Sequence, residues 1–386
     1  MSNSRLWEPL KVGNVTLSHR AVMAPLTRYR NGDDHAPLAM MTRYYGDRAC
    51  VPGSLVITEA TGVSGAAEGR PWLPGITTPA QVAGWRAVYA AVHARGSFVF
   101  QQLWDLGRGA DPAYVEGRGF KYASSGDVPL AGRPAAPAPL TEDEIWQKVA
   151  DFRRAARRVV DAGGDGVEIH AAHGYLVDQF TRDSVNNRAD AWGGSVANRS
   201  RFLLEVVGAV VDEIGAARTA LRLSPFALHQ DSCSSDTWEQ TGHVLAALKA
   251  RGHRLAYLSL VEPRGDPSQL DAAGTDDPSR PQPFTARPQS LDFVFDAWDN
   301  FSPIFVAGNY KQDTAAKTLD GPYRSHEVAI AFGRPFISNP DLVFRLKHNL
   351  PFAPYNRDTF YNAKDPVGYN DYPFSPEAIS AGLAEA

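Results

Sequence analysis

Gly164-Asp165-Gly166-Val167-Glu168-Ile169-His170-Ala171-Ala172-His173-Gly174-Tyr175-Leu176 is the stretch on which the fold turns. Gly163-Gly164 stops a preceding helix, a short apolar strand follows, and the strand ends on two histidines, a glycine and a tyrosine. The chain then turns back into a predicted helix from Val177 to Thr181. Barrel enzymes carry their chemistry at such strand ends. Taken alone, His170 and His173 have three readings. They are ordinary packing residues, two metal ligands, or paired donors to a substrate oxygen.

The same rhythm extends in both directions. Upstream, Ala21–Pro25, Ser54–Ala60 and Ser97–Leu103 are near-continuous apolar runs, separated by helical patterns over 37–48 and 78–95. Continuous runs mark parallel strands buried on both faces. Thr141-Glu142-Asp143-Glu144 is a capping box that opens a helix with Ile145, Val149, Phe152, Ala156 and Val159 on one stripe. Downstream, strands at 219–225, 255–261, 303–309 and 327–334 alternate with helices at 198–215, 237–251 and 290–298. Asn339-Pro340-Asp341-Leu342 opens a final helix. Eight strand–helix units predict an α/β fold, a single (β/α)₈ TIM barrel over 1–386. Two Pro-, Gly- and polar-rich excursions interrupt it, 110–140 after strand three and 262–288 after strand six. They are too long for ordinary connections and read as caps over one end. A doubly wound sheet would need a Gly-rich fingerprint after its first strand, and Met23-Ala24-Pro25-Leu26-Thr27-Arg28 is not one.

Composition narrows the function. A net charge of -4 over 386 residues gives no basis for a nucleic-acid or anionic-membrane partner. Two cysteines, Cys50 and Cys233, read as free thiols of a reducing compartment. With no apolar signal core and no membrane-length apolar run, the expectation is a soluble, cytoplasmic protein, monomeric or homodimeric.

The predicted strand ends gather Pro25, Leu26 and Thr27 from strand one, and Glu59 and Ala60 from strand two. Gln102 and Trp104 follow from strand three, His170 and His173 from strand four, and Arg222 from strand five. Strands seven and eight bring Gly308-Asn309 and Gly333-Arg334. Neither a carboxylate cluster nor a third metal ligand accompanies the histidines, which argues against a metal. Loops after strands seven and eight of such barrels often hold phosphate. The two dipeptides supply close backbone approach and a guanidinium there.

These residues, with further motifs, resemble the old yellow enzyme family. The resemblance runs from Leu6 to about Pro373. It rests on Met23–Arg28, Ile57–Ala60, Gln102–Trp104, Asp165–His170 and His173–Leu176, then Asn187-Arg188 with Trp192–Ser195 and Arg222–Pro225. Val261–Arg264, Ala307–Asn309, Phe332–Leu342 and Gly368–Pro373 complete it. Fungal members, including ones of alkaloid pathways, are most similar. The resemblance implies bound FMN, hydride from NADPH or NADH, and reduction of the C=C bond of a small activated alkene such as an enone or enal. Thr27 and Gln102 would bond the flavin edges, with Pro25, Leu26 and Ala60 beside it. Arg222 would stabilise the reduced flavin, and Gly308, Asn309, Gly333 and Arg334 would hold its phosphate. His170 and His173 would bind the substrate oxygen, His170 also facing the flavin, and Tyr175 would donate a proton. Trp104, Phe293 and Tyr361 would line the substrate side.

Some positions depart from the family. His173 stands where many members have Asn, and Leu26 replaces a common Thr. Asp105 and Arg108 replace apolar residues and predict either a more polar pocket wall or a solvated ion pair. Two alternatives compete with the reductase reading. One is a flavin-dependent isomerase or reductase step of a secondary-metabolite pathway, and the other a metal-dependent barrel lyase or hydrolase.

Overall fold

The computed structural model describes residues 4–133, 135–263 and 287–384. Eight parallel strands close on themselves: β1 (Ala21–Met23), β2 (Leu55–Ile57), β3 (Phe98–Trp104) and β4 (Gly166–Ala171), then β5 (Thr219–Leu223), β6 (Leu258–Val261), β7 (Ile304–Ala307) and β8 (Val328–Phe332). Each pairs with its neighbours in sequence, and β8 pairs with β1. The major helices return the chain along the outside. They are α1 (Ala39–Arg48), α2 (Pro79–His93), α3 (Glu142–Asp161), α4 (Val196–Ile214), α5 (Thr237–Ala250), α6 (Asp292–Trp298), α7 (Gln312–Asp320) and α8 (Leu342–His348). This is the predicted (β/α)₈ barrel.

Period-two alternation sorts each strand into two faces. Leu221, Leu223, Ile304, Val306, Val328 and Ile330 join the layer under the helices. Phe100, Ala220, Tyr257, Phe305 and Ala329 belong to a separate inner cluster. Tyr257 stacks on Phe305 there, ring centres 4.0 Å apart. Leu10, Val12 and Leu17 join the same cluster from an antiparallel hairpin, Leu10–Val12 with Val15–Leu17, which plugs one end of the barrel. Gly13 permits its tight turn at φ +51°, and a Cβ there would strike the Ala217 carbonyl oxygen.

Helix starts follow the sequence closely. Thr141 Oγ accepts from the Glu144 N–H, and the Glu144 carboxylate accepts from the Thr141 N–H at 2.8 Å. Thr78 and Gln81 form a second such box, with Pro79 at the first helical position. Asp341 stands at the N-cap position of α8, where the sequence opens that helix. Its carboxylate does not cap α8 but pairs with Arg345 at 2.7 Å and accepts the Ser375 N–H, tying down the C-terminal segment.

The excursion after β3 holds a short helix (Pro112–Gly117) and two short strands, Ala123–Ser124 and Ala138–Pro139. Most of the second excursion, 264–286, lies outside the described residues. Among the described residues, no helix is long and apolar enough to cross a membrane.

Candidate active site

The open end of the barrel holds a cavity of about 350 Å³. It adjoins an outer vestibule of about 570 Å³, and Thr27, Trp104, Tyr175, His229 and Tyr361 line both. The inner cavity is lined by Pro25, Leu26, Thr27, Ala60, Gln102, Trp104, His170, His173, Tyr175, Arg222, Gly308, Asn309, Gly333, Arg334 and Tyr361, all singled out from the sequence. Phe293, expected on the substrate side, is the exception. It sits on α6, ring centre 6.1 Å from Phe226, packed against the core and absent from the cavity lining. Glu59 also turns away from the cavity, bonding with Tyr45 and Asn31, and burial pushes its carboxyl up to about 7.

Asp105 and Arg108 neither line this cavity nor form a solvated pair. Both are buried. Asp105 pairs with Lys148 at 2.5 Å. Arg108 donates to the carbonyls of Val128, Pro129, Gln230 and Asp231, stitching the loop after β3 to the loop after β5.

The registers of β3, β4 and β5 build the floor. Gln102 lies opposite Glu168, and Arg222 opposite His170. Gln102 Nε2 donates to Glu168 Oε1 at 2.6 Å, which leaves the amide oxygen of Gln102 as acceptor for a ligand N–H. Burial raises the Glu168 carboxyl, against the nearby charge of Arg222 and the bond from Gln102. Burial lowers the Arg222 guanidinium, and Glu168 opposes that shift. A guanidinium stays charged at neutral pH under these conditions.

The loop after β4 places the two histidines and the tyrosine. His173 and Gly174 take left-handed backbone, φ +56° and +72°. That turn is held from outside. The His173 N–H donates to Ser224 Oγ at 2.8 Å, and the Gly174 N–H to Asp178 Oδ2 at 2.9 Å. Asp178 pairs with Arg182, which in turn donates to the carbonyls of Ser224 and Pro225. The His170 ring centre lies 5.7 Å from that of His173 and 5.0 Å from that of Tyr175, and Trp104 meets Tyr175 edge-on at 4.6 Å. Burial first, then the charge of Arg222, holds both imidazoles well below their ordinary range. They are neutral donors at physiological pH. Burial raises the Tyr175 phenol, so it keeps its proton. The Tyr175 hydroxyl makes no hydrogen bond to the described residues, which leaves it available to a ligand.

His229 was not found in the sequence. It lines the cavity with ring centres 6.5 Å from both His173 and Tyr175, presented by a turn in which Gln230 and Asp231 have positive φ. No motif surrounds it. Arg357 and Phe360 were also missed. Their segment is fixed by buried Arg28 and Arg30, which donate to the carbonyls of Phe360, Thr359, Val367 and Gly368. Among the described residues, no three His, Cys, Asp or Glu side chains are grouped to hold a metal.

The donor set fits a flat, anionic heteroaromatic cofactor. Ala24, Ala60, Ala307 and Ala331 leave a slot between the strand ends. Buried Arg222 Nε, Trp104 Nε1 and His170 Nδ1 have no partner among the described residues. At one side, Arg334 donates to Asn309 Oδ1 at 3.2 Å. A Cβ on Gly308 would come within 2.8 Å of the Glu262 Cβ, so only glycine lets the backbone pass.

A parallel barrel with this slot, a buried guanidinium on its floor and a protonated phenol above it defines a flavin-binding oxidoreductase. Residues 5–352 match the NADH:flavin oxidoreductase / NADH oxidase family, and the chain belongs to it. It is 46% identical over 97% of its length to the NADP-dependent oxidoreductase lnbE of Aspergillus flavus, covering 98% of that protein. It is 45% identical over 99% of its length to the chanoclavine-I aldehyde reductase fgaOx3 of Penicillium roqueforti, covering 100% of it. The crystal structure of old yellow enzyme from Pichia sp. superposes with a TM-score of 0.87 at 33% identity, over 97% of this chain and 95% of that one. The chain is therefore an FMN-dependent ene-reductase of the old yellow enzyme type, with a nicotinamide dinucleotide as hydride source.

Proposed function

We propose that the enzyme reduces the C=C bond of a small α,β-unsaturated aldehyde or ketone and that His170, His173 and Tyr175 are the residues that activate it. The observation that carries this reading is the pairing of two neutral imidazoles with a protonated phenol over one cavity. Bound FMN would supply the two-electron hydride chemistry between nicotinamide and alkene. Thr27, the Gln102 amide oxygen and Arg222 would hold its ring, with Pro25, Leu26 and Ala60 against it. Gly308, Asn309, Gly333 and Arg334 would hold its phosphate.

His170 and His173 bond the carbonyl oxygen of the substrate. As neutral donors they polarise the conjugated system and stabilise the negative charge that grows on oxygen as hydride reaches the β-carbon. Tyr175 delivers its hydroxyl proton to the α-carbon. Trp104 and Tyr361 bound the space the substrate occupies. The name of the relative from Penicillium roqueforti favours an aldehyde as the carbonyl partner. We place this activity in the cytoplasm, on a small molecule, with no nucleic-acid or membrane partner.

The test is an anaerobic panel of enals, enones and nitroalkenes with NADPH, followed by product analysis. Saturated aldehydes and ketones are expected. Consumption of NADPH without any saturated product would sink the proposal, and rearranged alkene without net reduction would point to the isomerase.

A further inference from the structure

Arg70 is the only charged side chain among the described residues that line the vestibule outside the catalytic cavity. Its neighbours there are mostly aromatic, including Tyr29, Trp72 and Tyr361, and none is a carboxylate. Arg70 Nη2 donates to the Gly109 carbonyl at 2.9 Å, while its Nε is buried without a partner among the described residues. The segment that carries it is pinned. The Asp111 N–H donates to the Gly69 carbonyl at 2.8 Å, and a Cβ on Gly69 would lie 2.5 Å from that of Ala110. A cation is thus fixed in an aromatic wall that, among the described residues, carries no carboxylate. It stands close to the chemistry, for burial raises the Tyr175 phenol and the charge of Arg70 opposes that shift.

We propose that Arg70 binds the phosphate groups of the nicotinamide dinucleotide while its ring occupies the catalytic cavity. The inference rests on the reading of that cavity as the site where hydride donor and alkene both react. The nicotinamide must reach the floor beside His170, His173 and Tyr175. The inner cavity of about 350 Å³ opens into the vestibule through residues the two share, so the remainder of the donor lies in the vestibule. A diphosphate passing a wall with one guanidinium meets it, and guanidinium–phosphate bonds are among the stronger charge-assisted pairs. The surrounding rings suit an adenine or ribose face.

The test uses the FMN-loaded enzyme, its Arg70→Gln variant and the charge-keeping Arg70→Lys variant. Binding of NADP⁺ to the oxidised enzyme is followed by tryptophan fluorescence, which needs no turnover. Steady-state rates are measured with NADPH and with 1-benzyl-1,4-dihydronicotinamide, which carries no phosphate. Arg70→Gln should raise the NADP⁺ Kd and the NADPH KM by about tenfold, as expected for one lost charge-assisted bond at a partly exposed site. It should leave kinetics with the benzyl donor and a small neutral enone within about twofold, the scatter of a surface change. Arg70→Lys should recover most of the loss, and added salt should weaken NADP⁺ binding more in the parent than in Arg70→Gln. Unchanged NADP⁺ binding in Arg70→Gln overturns the proposal. So does an equal loss with the benzyl donor, which would mean that Arg70 only supports the loop at Gly109. Weaker use of a carboxylated enone with unchanged NADP⁺ binding would assign Arg70 to the alkene and also overturn it. Failure of the parent to reduce any alkene would refute the ene-reductase reading instead, leaving the NADP⁺ titration to judge Arg70.

Discussion

Replacing Tyr175 by phenylalanine isolates the proton from the rest of the site. The hydroxyl makes no hydrogen bond to the described residues, so Tyr175→Phe orphans no protein group, and stability should stay within ~0.5 kcal/mol. The ring contacts with Trp104 and His170 at 4.6 and 5.0 Å are kept, since phenylalanine has the same ring. The loss is then one general acid, worth roughly 10²–10⁴ in rate. The vestibule beside Tyr175 admits water, which can replace the phenol in part, so the lower half of that range, about 10²–10³, is expected with an enal. That is about 3–4 kcal/mol of transition-state free energy. A nitroalkene stabilises the negative charge itself and should lose less than about tenfold. Because burial raises the phenol, the Tyr175-dependent rate should be flat from neutral to moderately alkaline pH. The assay is anaerobic steady-state kinetics with both alkenes, alongside bleaching of the yellow colour by NADPH alone, which needs no proton from Tyr175. Two outcomes refute the reasoning: an enal rate unchanged in Tyr175→Phe, or bleaching by NADPH slowed as much as enal turnover.

Three further perturbations probe other parts of the molecule. His173→Ala should weaken phenol binding by roughly 1.5–3 kcal/mol while FMN stays bound, and equal phenol affinity by spectral titration would remove that role. Arg222→Met should lower the flavin midpoint potential by roughly 30–60 mV, the two-electron equivalent of 1.5–3 kcal/mol, and an unchanged potential in an FMN-loaded variant would count against it. His19 is buried and neutral, with Nδ1 accepting the Ala21 N–H and Nε2 bonded to Ser54 Oγ, and burial pulls it down to about 4. Its folded pKa lies below the unfolded value of about 6.5. Stability from this group is therefore intact above pH 6.5 and lost as pH falls towards 4, by roughly 3 kcal/mol in full. Urea denaturation at pH 7 and 4.5 should show a smaller acid loss in His19→Gln than in the parent, and equal losses would exclude His19 as a source.

The barrel was legible because its strands are continuous apolar runs and its long helices carry capping boxes, both local signals. Tertiary direction was not. Glu59 and Ala60 are adjacent at the end of β2, yet only Ala60 faces the cavity, since neighbouring residues of a strand point opposite ways. Phe293 matched by position but lies on α6 half-buried beside Phe226, outside the cavity lining. Arg108 was read against its neighbour Asp105, whereas its partners are backbone carbonyls up to 123 residues away. Helix α7 escaped notice because it opens on Lys311 and buries only Ala315 and Leu319. The hairpin at Leu10–Leu17 carries a usable signal in its alternation around Gly13-Asn14, upstream of the first predicted strand at Ala21. His229 had none.

That hairpin has a kinetic consequence. With Leu10, Val12 and Leu17 stopping the base, the described residues leave the floor one approach, through the cavity and its vestibule. Oxidised nicotinamide must depart before the alkene can take its place. Initial-rate plots at several fixed alkene concentrations should then be parallel lines, and excess alkene should inhibit by holding that approach against the incoming donor.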